Sequence, residues 1–305
     1  MLLVLAGSLA GRGAAGGQTV CLARSVGTGR DTPLYSVSGI ALDERSNMFV
    51  TDRLDYSVKK FDGNGACRGR VGRRGTGPGE FRSPALSLVT GGRLVVLQAS
   101  DPRIELFDTD LKYRGEFVVR GGMPVDIAKA GPRGLALALY SDTAGASVLL
   151  CEEPEGINVR RIVISATGMK NPLYAASHIA VCRDGSIVVA SLFLNRVEMY
   201  STGGKLLRRF SIAGMVSPPQ CDDDGRVPGS TYFRKVVVDG QGRILLLGGN
   251  QAFHPGRDLF VCSSNGSYLR TCTLQFKPRV IVPGGGKALY ATDETGTRIE
   301  RYIIP

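Results

Sequence analysis

Tryptophan is absent from this chain, histidine occurs only twice, and none of the seven cysteines stands in a C-x-x-C pair. Zinc sites need several thiolate, imidazole or carboxylate ligands at short spacings, so the sequence disfavours a zinc enzyme. It also has no Gly-x-Ser-x-Gly elbow and no recognisable pairing of a nucleophile with a base. We therefore predict no catalytic residue, no metal ligand and no cofactor, and we favour a protein that is not an enzyme.

Long apolar runs and helical periodicity are also missing. No stretch after the N-terminus has the roughly 20 apolar residues of a transmembrane helix, so we predict no membrane span. No long segment repeats its apolar residues at the spacing of a helix. The 41 glycines and 15 prolines among the 305 residues favour many tight turns between short strands. We expect an all-β chain that folds as one domain.

The net charge of +11 permits an anionic partner such as nucleic acid, lipid headgroups or an acidic glycan. No run of lysine and arginine exceeds three residues, and basic and aromatic residues do not interleave as they do on a nucleic-acid platform. Nucleic-acid binding is therefore an alternative that the composition does not favour over a generally basic surface.

Residues 1–17 differ from the rest of the chain, because residues 2–10 are apolar and small residues follow, as in the later part of a secretory signal peptide. The basic leading region is missing, so a truncated signal peptide and a disordered tail both stay open. We predict a periplasmic or extracellular protein, in which some cysteines would pair. Cys262 and Cys272 flank the Asn265-Gly266 turn, and we predict this pair as a disulfide, although the simple turn register does not place them directly opposite.

The segment 37–84 is the clearest unit of the sequence. Four short strand-like stretches alternate with turns, and Asp62-Gly63-Asn64-Gly65 suits the positive backbone φ angles of a hairpin. The most informative stretches are Gly39-Ile40-Ala41-Leu42-Asp43, Val50-Thr51-Asp52, Val58-Lys59-Lys60-Phe61-Asp62 and Gly75-Thr76-Gly77-Pro78-Gly79-Glu80-Phe81, followed by Pro84. Together they resemble an NHL repeat, the blade unit of NHL-type β-propellers.

The resemblance implies a four-stranded antiparallel blade that packs against further blades. Five more units follow, and we predict a six-bladed β-propeller. The last unit has only three strands, whereas residues 18–26 form a strand without a blade. We predict that this N-terminal strand completes the last blade and closes the ring, so that residues 18–305 form a single NHL-type domain. The further units cover 85–124, 125–172, 173–219, 236–275 and 279–303, with a polar insert at 220–230.

Three units begin their third strand with an arginine, at Arg103, Arg196 and Arg298. Because this arginine recurs by repeat position, we predict a structural role for it and expect function where the units differ. His178 precedes the inner strand of the fourth unit and could point into the channel, although a hydrogen-bonded structural role is favoured. The acidic run at 222–224 lacks the alternating ligand spacing of a calcium loop, so we predict a solvated loop.

The resemblance also places the loops between strands two and three, and those between blades, on one face around the channel. We call this the loop face, and we predict the binding residues there because the blades hold such loops rigidly. The set is rich in arginine and tyrosine, as interaction hot spots often are. The predicted residues are Arg53, Asp55, Tyr56, Arg82, Asp101, Asn195, Tyr232, Arg234, His254, Arg257 and Thr295.

The predicted function is a non-catalytic binding or scaffold propeller that is exported and monomeric. Its partner would be a protein, a peptide or a glycan bound on the loop face. Two alternatives stay open, because a fold does not determine a function. One is a hydrolase or lyase with a metal in the central channel, and the other is RNA binding through a basic face.

Overall fold

The computed structural model describes residues 18–19, 22–26, 32–99, 101–141, 145–154, 159–164, 176–215, 231–251 and 254–305. Every regular element within these ranges is a β-strand, which confirms the predicted all-β class. Across the same ranges, no helix is long and apolar enough to cross a membrane. The predicted signal segment at 1–17 and the insert at 220–230 lie outside the described residues.

Six small antiparallel sheets form the ring of a six-bladed β-propeller, as predicted. Within a blade the chain runs from the inner strand outwards, and consecutive strands are neighbours. Blade 1 consists of Val37–Leu42, Met48–Asp52, Ser57–Phe61 and Cys67–Val71. Blade 2 consists of Pro84–Thr90, Arg93–Gln98, Arg103–Asp108 and Tyr113–Val118. Blade 3 consists of Met123–Ala130, Gly134–Ser141, Gly145–Cys151 and Arg160–Ile164. Blade 4 consists of Ser177–Val181, Ile187–Ser191, Val197–Tyr200 and Leu206–Phe210. Blade 5 consists of Phe233–Val238, Ile244–Gly248, Asp258–Cys262 and Tyr268–Thr273. Blade 6 consists of Ile281–Pro283, Ala288–Thr292, Ile299–Ile303 and Leu22–Val26.

The N-terminal strand closes the ring, which confirms that prediction. Leu22–Val26 pairs antiparallel with Ile299–Ile303 and supplies the outer strand of blade 6. A second contact was not predicted, because Gln18–Thr19 pairs in parallel with the outer strand of blade 5. A two-stranded ribbon of Asn250–Gln251 and His254–Pro255 extends the loop between strands two and three of blade 5.

The core is divided among the six interfaces between neighbouring blades. Six clusters of buried apolar side chains each join two blades, and together they run around the whole ring. The second strands are buried on both faces, as in Met48–Asp52 and Ile244–Gly248. The outer strands alternate between partly buried and exposed side chains, as in Cys67–Val71. This gradient explains why the inner parts of each unit are nearly continuous apolar runs.

The segment that leaves blade 1, residues 72–81, has a structural role. The side chain of Phe81 is fully buried and packs on Phe107 of blade 2, with ring centroids 6.0 Å apart. The carboxylate of Glu80 accepts hydrogen bonds from the backbone N–H groups of Thr76 and Gly77. Gly72 has a φ of 100°, and a Cβ there would lie 2.4 Å from the Phe81 ring, so only glycine fits.

The predicted disulfide between Cys262 and Cys272 is wrong, because both thiols are free. The strand register pairs Cys262 with Tyr268 and Cys272 with Leu259. Cys262 belongs to the cluster between blades 4 and 5, whereas Cys272 belongs to the cluster between blades 5 and 6. The two side chains therefore project from opposite faces of one sheet, and a bond between them would need a different register.

We predict that deletion of residues 1–26 lowers the stability of the whole ring, because it exposes the Ile299–Ile303 edge and leaves blade 6 with three strands. Chemical denaturation should show a lower midpoint than that of the full chain. A synthetic peptide of residues 18–26, added in trans, should restore part of the loss. An unchanged midpoint after the deletion would contradict closure by this strand.

Candidate functional site

The inner strands of the six blades line a central channel. The cavity within it has a volume of about 240 Å³, and most of its lining side chains are aliphatic. This space exceeds the roughly 150 Å³ of an engineered apolar cavity that binds benzene. All six blades contribute to its wall, through residues that include Ile40, Leu88, Ile127, Ala180, Val237 and Val282.

One register position of the inner strands forms a ring at the channel mouth on the loop face. In blades 1 to 5 each member pairs with the residue next to the middle of the second strand, as Gly39 does with Thr51 and Leu86 does with Leu97. In blade 6 the corresponding residue, Val280, precedes the inner strand, and its carbonyl accepts a hydrogen bond from the backbone N–H of Thr292. Blades 6, 1 and 2 place small or apolar residues there, whereas blades 3, 4 and 5 place polar ones. The first group is Val280, Gly39 and Leu86, and the second, which we call the polar half-ring, is Asp126, His178 and Lys235.

Asp126 bonds to both other members of the polar half-ring, and its side chain is fully buried. Its Oδ2 lies 3.1 Å from Nδ1 of His178 and accepts a hydrogen bond of 3.0 Å from the backbone N–H of Ile179. Its Oδ1 accepts hydrogen bonds from the backbone N–H of Ile127 and from Nζ of Lys235. Since Asp126 belongs to blade 3 and Lys235 to blade 5, this ion pair passes over the inner end of blade 4.

The charge of Asp126 fixes the hydrogen bonding of its neighbours. Burial alone would raise the pKa of Asp126, but the Lys235 ammonium and the hydrogen bond with His178 outweigh burial and hold this pKa well below its usual range. An ionised carboxylate can only accept hydrogen bonds, so Nδ1 of His178 must carry a proton. Nε2 of His178 has no partner among the described residues, and in a neutral imidazole this nitrogen is an acceptor.

We predict strong coupling between Asp126 and Lys235 in a double-mutant cycle. Asp126→Asn and Lys235→Met should each lower the free energy of unfolding by about 3 kcal/mol, because each leaves a largely buried charge without its partner. The double variant should lose clearly less than the sum of the two single losses. Urea denaturation measures all four proteins, and additive losses would show that the two charges do not interact.

The loops of blade 1 form a second distinctive region of the loop face. Nζ of the buried Lys59 lies 3.1 Å from Oδ2 of Asp52 and 2.9 Å from Oδ2 of Asp55. The guanidinium of Arg70 also pairs with Asp55. Burial would raise the pKa of Asp55, but its hydrogen bonds with Arg70, Ser57 and Lys59 lower it to about 2. This network fixes the loop that joins strands two and three.

Two large apolar side chains near this network face solvent, one on the segment before the inner strand and one on the loop between strands two and three. Tyr35 is 52% exposed and Leu54 is 63% exposed. The two segments lie side by side, because the backbone N–H of Arg53 donates to the carbonyl of Ser36. Tyr56 closes the loop with a φ of 50°, which is uncommon for a tyrosine and shows how tightly the loop is held.

The predicted loop-face residues divide into two groups. Several make internal hydrogen bonds that shape the loops: the Asn195 amide exchanges hydrogen bonds with the backbone of Ile212, and the Arg234 guanidinium donates to the carbonyls of Gly248 and Gly256. Asp101 and Thr295 likewise bond within their own loops, and Tyr232 is buried between blades 4 and 5. In the second group the side chains of Arg53, Arg82 and Arg257 are exposed, and that of Tyr56 is partly exposed. The structure does not describe the side chain of His254.

The recurring arginines of the third strands accompany buried glutamates two residues later, which supports their structural interpretation. Glu105, Glu198 and Glu300 are all buried at this repeat position. Glu105 accepts hydrogen bonds from the backbone N–H of Gly79 and from the amide of Gln98. Burial raises the pKa of Glu105 to about 7, against the opposing influence of the Arg103 charge.

We predict that Glu105 makes the protein less stable as the pH rises. Its pKa is higher in the folded chain than in the unfolded chain, so the folded state binds the proton more tightly. The free energy of unfolding should therefore fall by about 1–3 kcal/mol between pH 4.5 and pH 8. Glu105→Gln should remove this decline, as urea denaturation across the pH series would show. Parallel curves for the two proteins would contradict the prediction.

Sequence reasoning identified His178 as a channel candidate but missed Asp126 and Lys235. The available signal was the alignment of the six inner strands, in which both charges occupy a position that is apolar or glycine in blades 6, 1 and 2. Their mutual contact could not be deduced, because it joins two blades that are not adjacent. Within the part of the chain that the structure describes, no three histidine, cysteine or acidic side chains converge as a metal site.

Comparisons with known proteins show the fold and nothing narrower. No family model matches the sequence, and no curated protein matches it. A DUF4221 family member from Bacteroides vulgatus has a TM-score of 0.65 at 10% identity, covering 93% of this chain and 97% of its own. Catalytically inactive virginiamycin B lyase from Staphylococcus aureus, solved with quinupristin, has a TM-score of 0.60 at 11% identity, with 92% and 88% covered. A chain of the mitotic checkpoint complex has a TM-score of 0.57 at 9% identity, with 100% and 98% covered.

Proposed function

We propose that this protein is an NHL-type binding propeller that docks a protein partner on the blade 1 side of its loop face. The observation that carries the proposal is the exposure of Tyr35 and Leu54 on two segments that a backbone hydrogen bond joins. Large apolar side chains that are fixed before binding lose little conformational entropy when a partner covers them. Tyrosine is enriched in interaction hot spots, and the exposed Leu54 adds apolar surface near Tyr35.

The contacts of Tyr35 and of the adjacent loop support this role. Nζ of Lys59 lies 5.2 Å from the centre of the Tyr35 ring, and the same ammonium is held by Asp52 and Asp55. The backbone N–H of Tyr35 donates to Asp52, 2.8 Å away. Tyr35 is thus held at its backbone and at one face of its ring, and Leu54 stands between Asp52 and Asp55 on the loop that the same ammonium fixes.

The charges around this pair indicate the chemistry of the partner. Arg53, Arg74 and Arg82 have no carboxylate partner among the described residues, and the Arg74 guanidinium lies 5.7 Å from the centre of the Tyr56 ring. The acidic side chains of the loop, Asp52 and Asp55, are already paired. We therefore infer a partner surface with an apolar pocket bordered by carboxylates, because such charges would speed and orient docking.

The fold is compatible with this role, although it does not select it. One chain of similar fold belongs to the mitotic checkpoint complex, which is a protein assembly, and another is a lyase. The NHL-type assignment is supported by blade 1, where Asp52 of the Val50-Thr51-Asp52 stretch accepts hydrogen bonds from the backbone of Tyr35 and Ser36. The motif residue thus fixes the loop that we propose as the docking surface.

Photocrosslinking in the native host tests the proposal. A benzoylphenylalanine introduced at Leu54 should capture one protein, whereas the same residue at Leu207, which is 53% exposed on the outer strand of blade 4, should not capture it. The captured protein is then purified and titrated. Leu54→Asp should weaken its binding about tenfold or more, while Leu207→Asp should leave it unchanged. Arg53→Glu should slow association, most clearly at low salt.

Two results would overturn the proposal. One is a purified partner that binds Leu54→Asp as tightly as the unaltered protein. The other is capture of RNA at position 54, with binding that falls steeply as salt rises, which would instead support a nucleic-acid function. Because both substituted leucines are exposed, neither variant should change the midpoint of chemical denaturation, and this measurement controls for misfolding.

A further inference from the structure

The polar half-ring at the channel mouth leaves a defined set of hydrogen-bonding groups unused. Asp126 is saturated, because its two oxygens accept four hydrogen bonds from Ile127, Ile179, His178 and Lys235. The Lys235 ammonium has three N–H donors and uses one of them on Asp126. Nε2 of His178 has no partner among the described residues, and it is an acceptor when the imidazole is neutral. The unused groups are thus two donors and one acceptor, held next to each other by a shared carboxylate.

The side chains of the polar half-ring are largely buried, which distinguishes them from a solvent-exposed ion pair: Asp126 has no exposed surface, and Lys235 and His178 are only 15% and 24% exposed. Buried charges add little net stability over apolar residues of similar size, and the other three blades use such residues at the same position. The cluster is therefore better explained by recognition than by stability.

An apolar cavity lies directly beneath the polar half-ring. Lys235 lines the cavity of about 240 Å³, as do Ile127 and Ile179, the residues that follow Asp126 and His178. The opposite half of the mouth is formed by Gly39, Leu86 and Val280, which offer no polar side chain. A ligand at this mouth would meet two adjacent hydrogen-bonding groups on one side and aliphatic walls on the other.

We propose that the channel mouth binds a compact aliphatic alcohol, with its hydroxyl between His178 and Lys235 and its hydrocarbon part in the channel. A hydroxyl group can donate a hydrogen bond to Nε2 of His178 while its oxygen accepts a hydrogen bond from Lys235. A primary amine offers the wrong charge beside the ammonium. A carboxylate meets the lone pair of Nε2 and the nearby carboxylate of Asp126. This site is separate from the proposed docking surface on blade 1 and does not depend on it.

The two histidines of the chain make a direct test feasible. Imidazole ¹⁵N spectra contain only His178 and His254, and the variant His254→Gln assigns them. Titration with cyclohexanol should shift the Nε2 resonance of His178 and leave His254 unchanged. Cyclohexylamine and cyclohexanecarboxylate, which have the same ring, should bind about tenfold more weakly or not at all.

Matched variants locate the bound alcohol. Lys235→Met should weaken cyclohexanol binding about tenfold, whereas Lys129→Met, at the opposite end of the same channel, should leave it unchanged. Because Lys235→Met also destabilises the fold, the titrations are made far below its denaturation midpoint, and the spectra of the unaltered protein provide an independent readout. Equal binding of the three probes, no shift at His178, or a loss caused by Lys129→Met alone would each overturn the proposal.

Discussion

The structure depends on the fact that no blade can bury both of its faces alone. Each of the six apolar clusters is shared by two neighbouring blades, so the hydrophobic free energy belongs to the interfaces rather than to the sheets. A chain of this kind gains its last interface only when the ring closes. Pairing of Leu22–Val26 with Ile299–Ile303 provides that closure, because it joins the two ends of the sequence within one blade.

Much of this architecture could be predicted, because it repeats along the chain. Turn residues such as Gly65 and Gly266, with φ angles of 83°, divide the sequence into strands, and each inner part is apolar because it is buried on both faces. The missing fourth strand of the last unit and the extra strand at 18–26 predicted the closure together. The disulfide prediction failed because an odd offset in register puts the two side chains on opposite faces of the sheet. Cys272 pairs with Leu259, three residues before Cys262, and the two cysteines face different blades.

The candidate sites were less accessible from the sequence, for a physical reason. Loop residues such as Asn195 and Arg234 resemble binding residues in composition, yet their side chains hold the backbone of the loops in place. Conversely, Asp126 and Lys235 stand in strands, where a single charge is easily taken for a solvent-facing residue. Only the curvature of the ring brings these two strands close enough for an ion pair.

Closure by the first strand also has a consequence for biosynthesis. The partner of Leu22–Val26 is the last strand of the ring in chain order, so the closing strand has no native antiparallel neighbour while the first five blades are being made. The short parallel contact of Gln18–Thr19 with blade 5 becomes available one blade earlier. We expect this contact to hold residues 18–19 near their final position until blade 6 is complete, and we expect ring closure to be a late and slow step of folding.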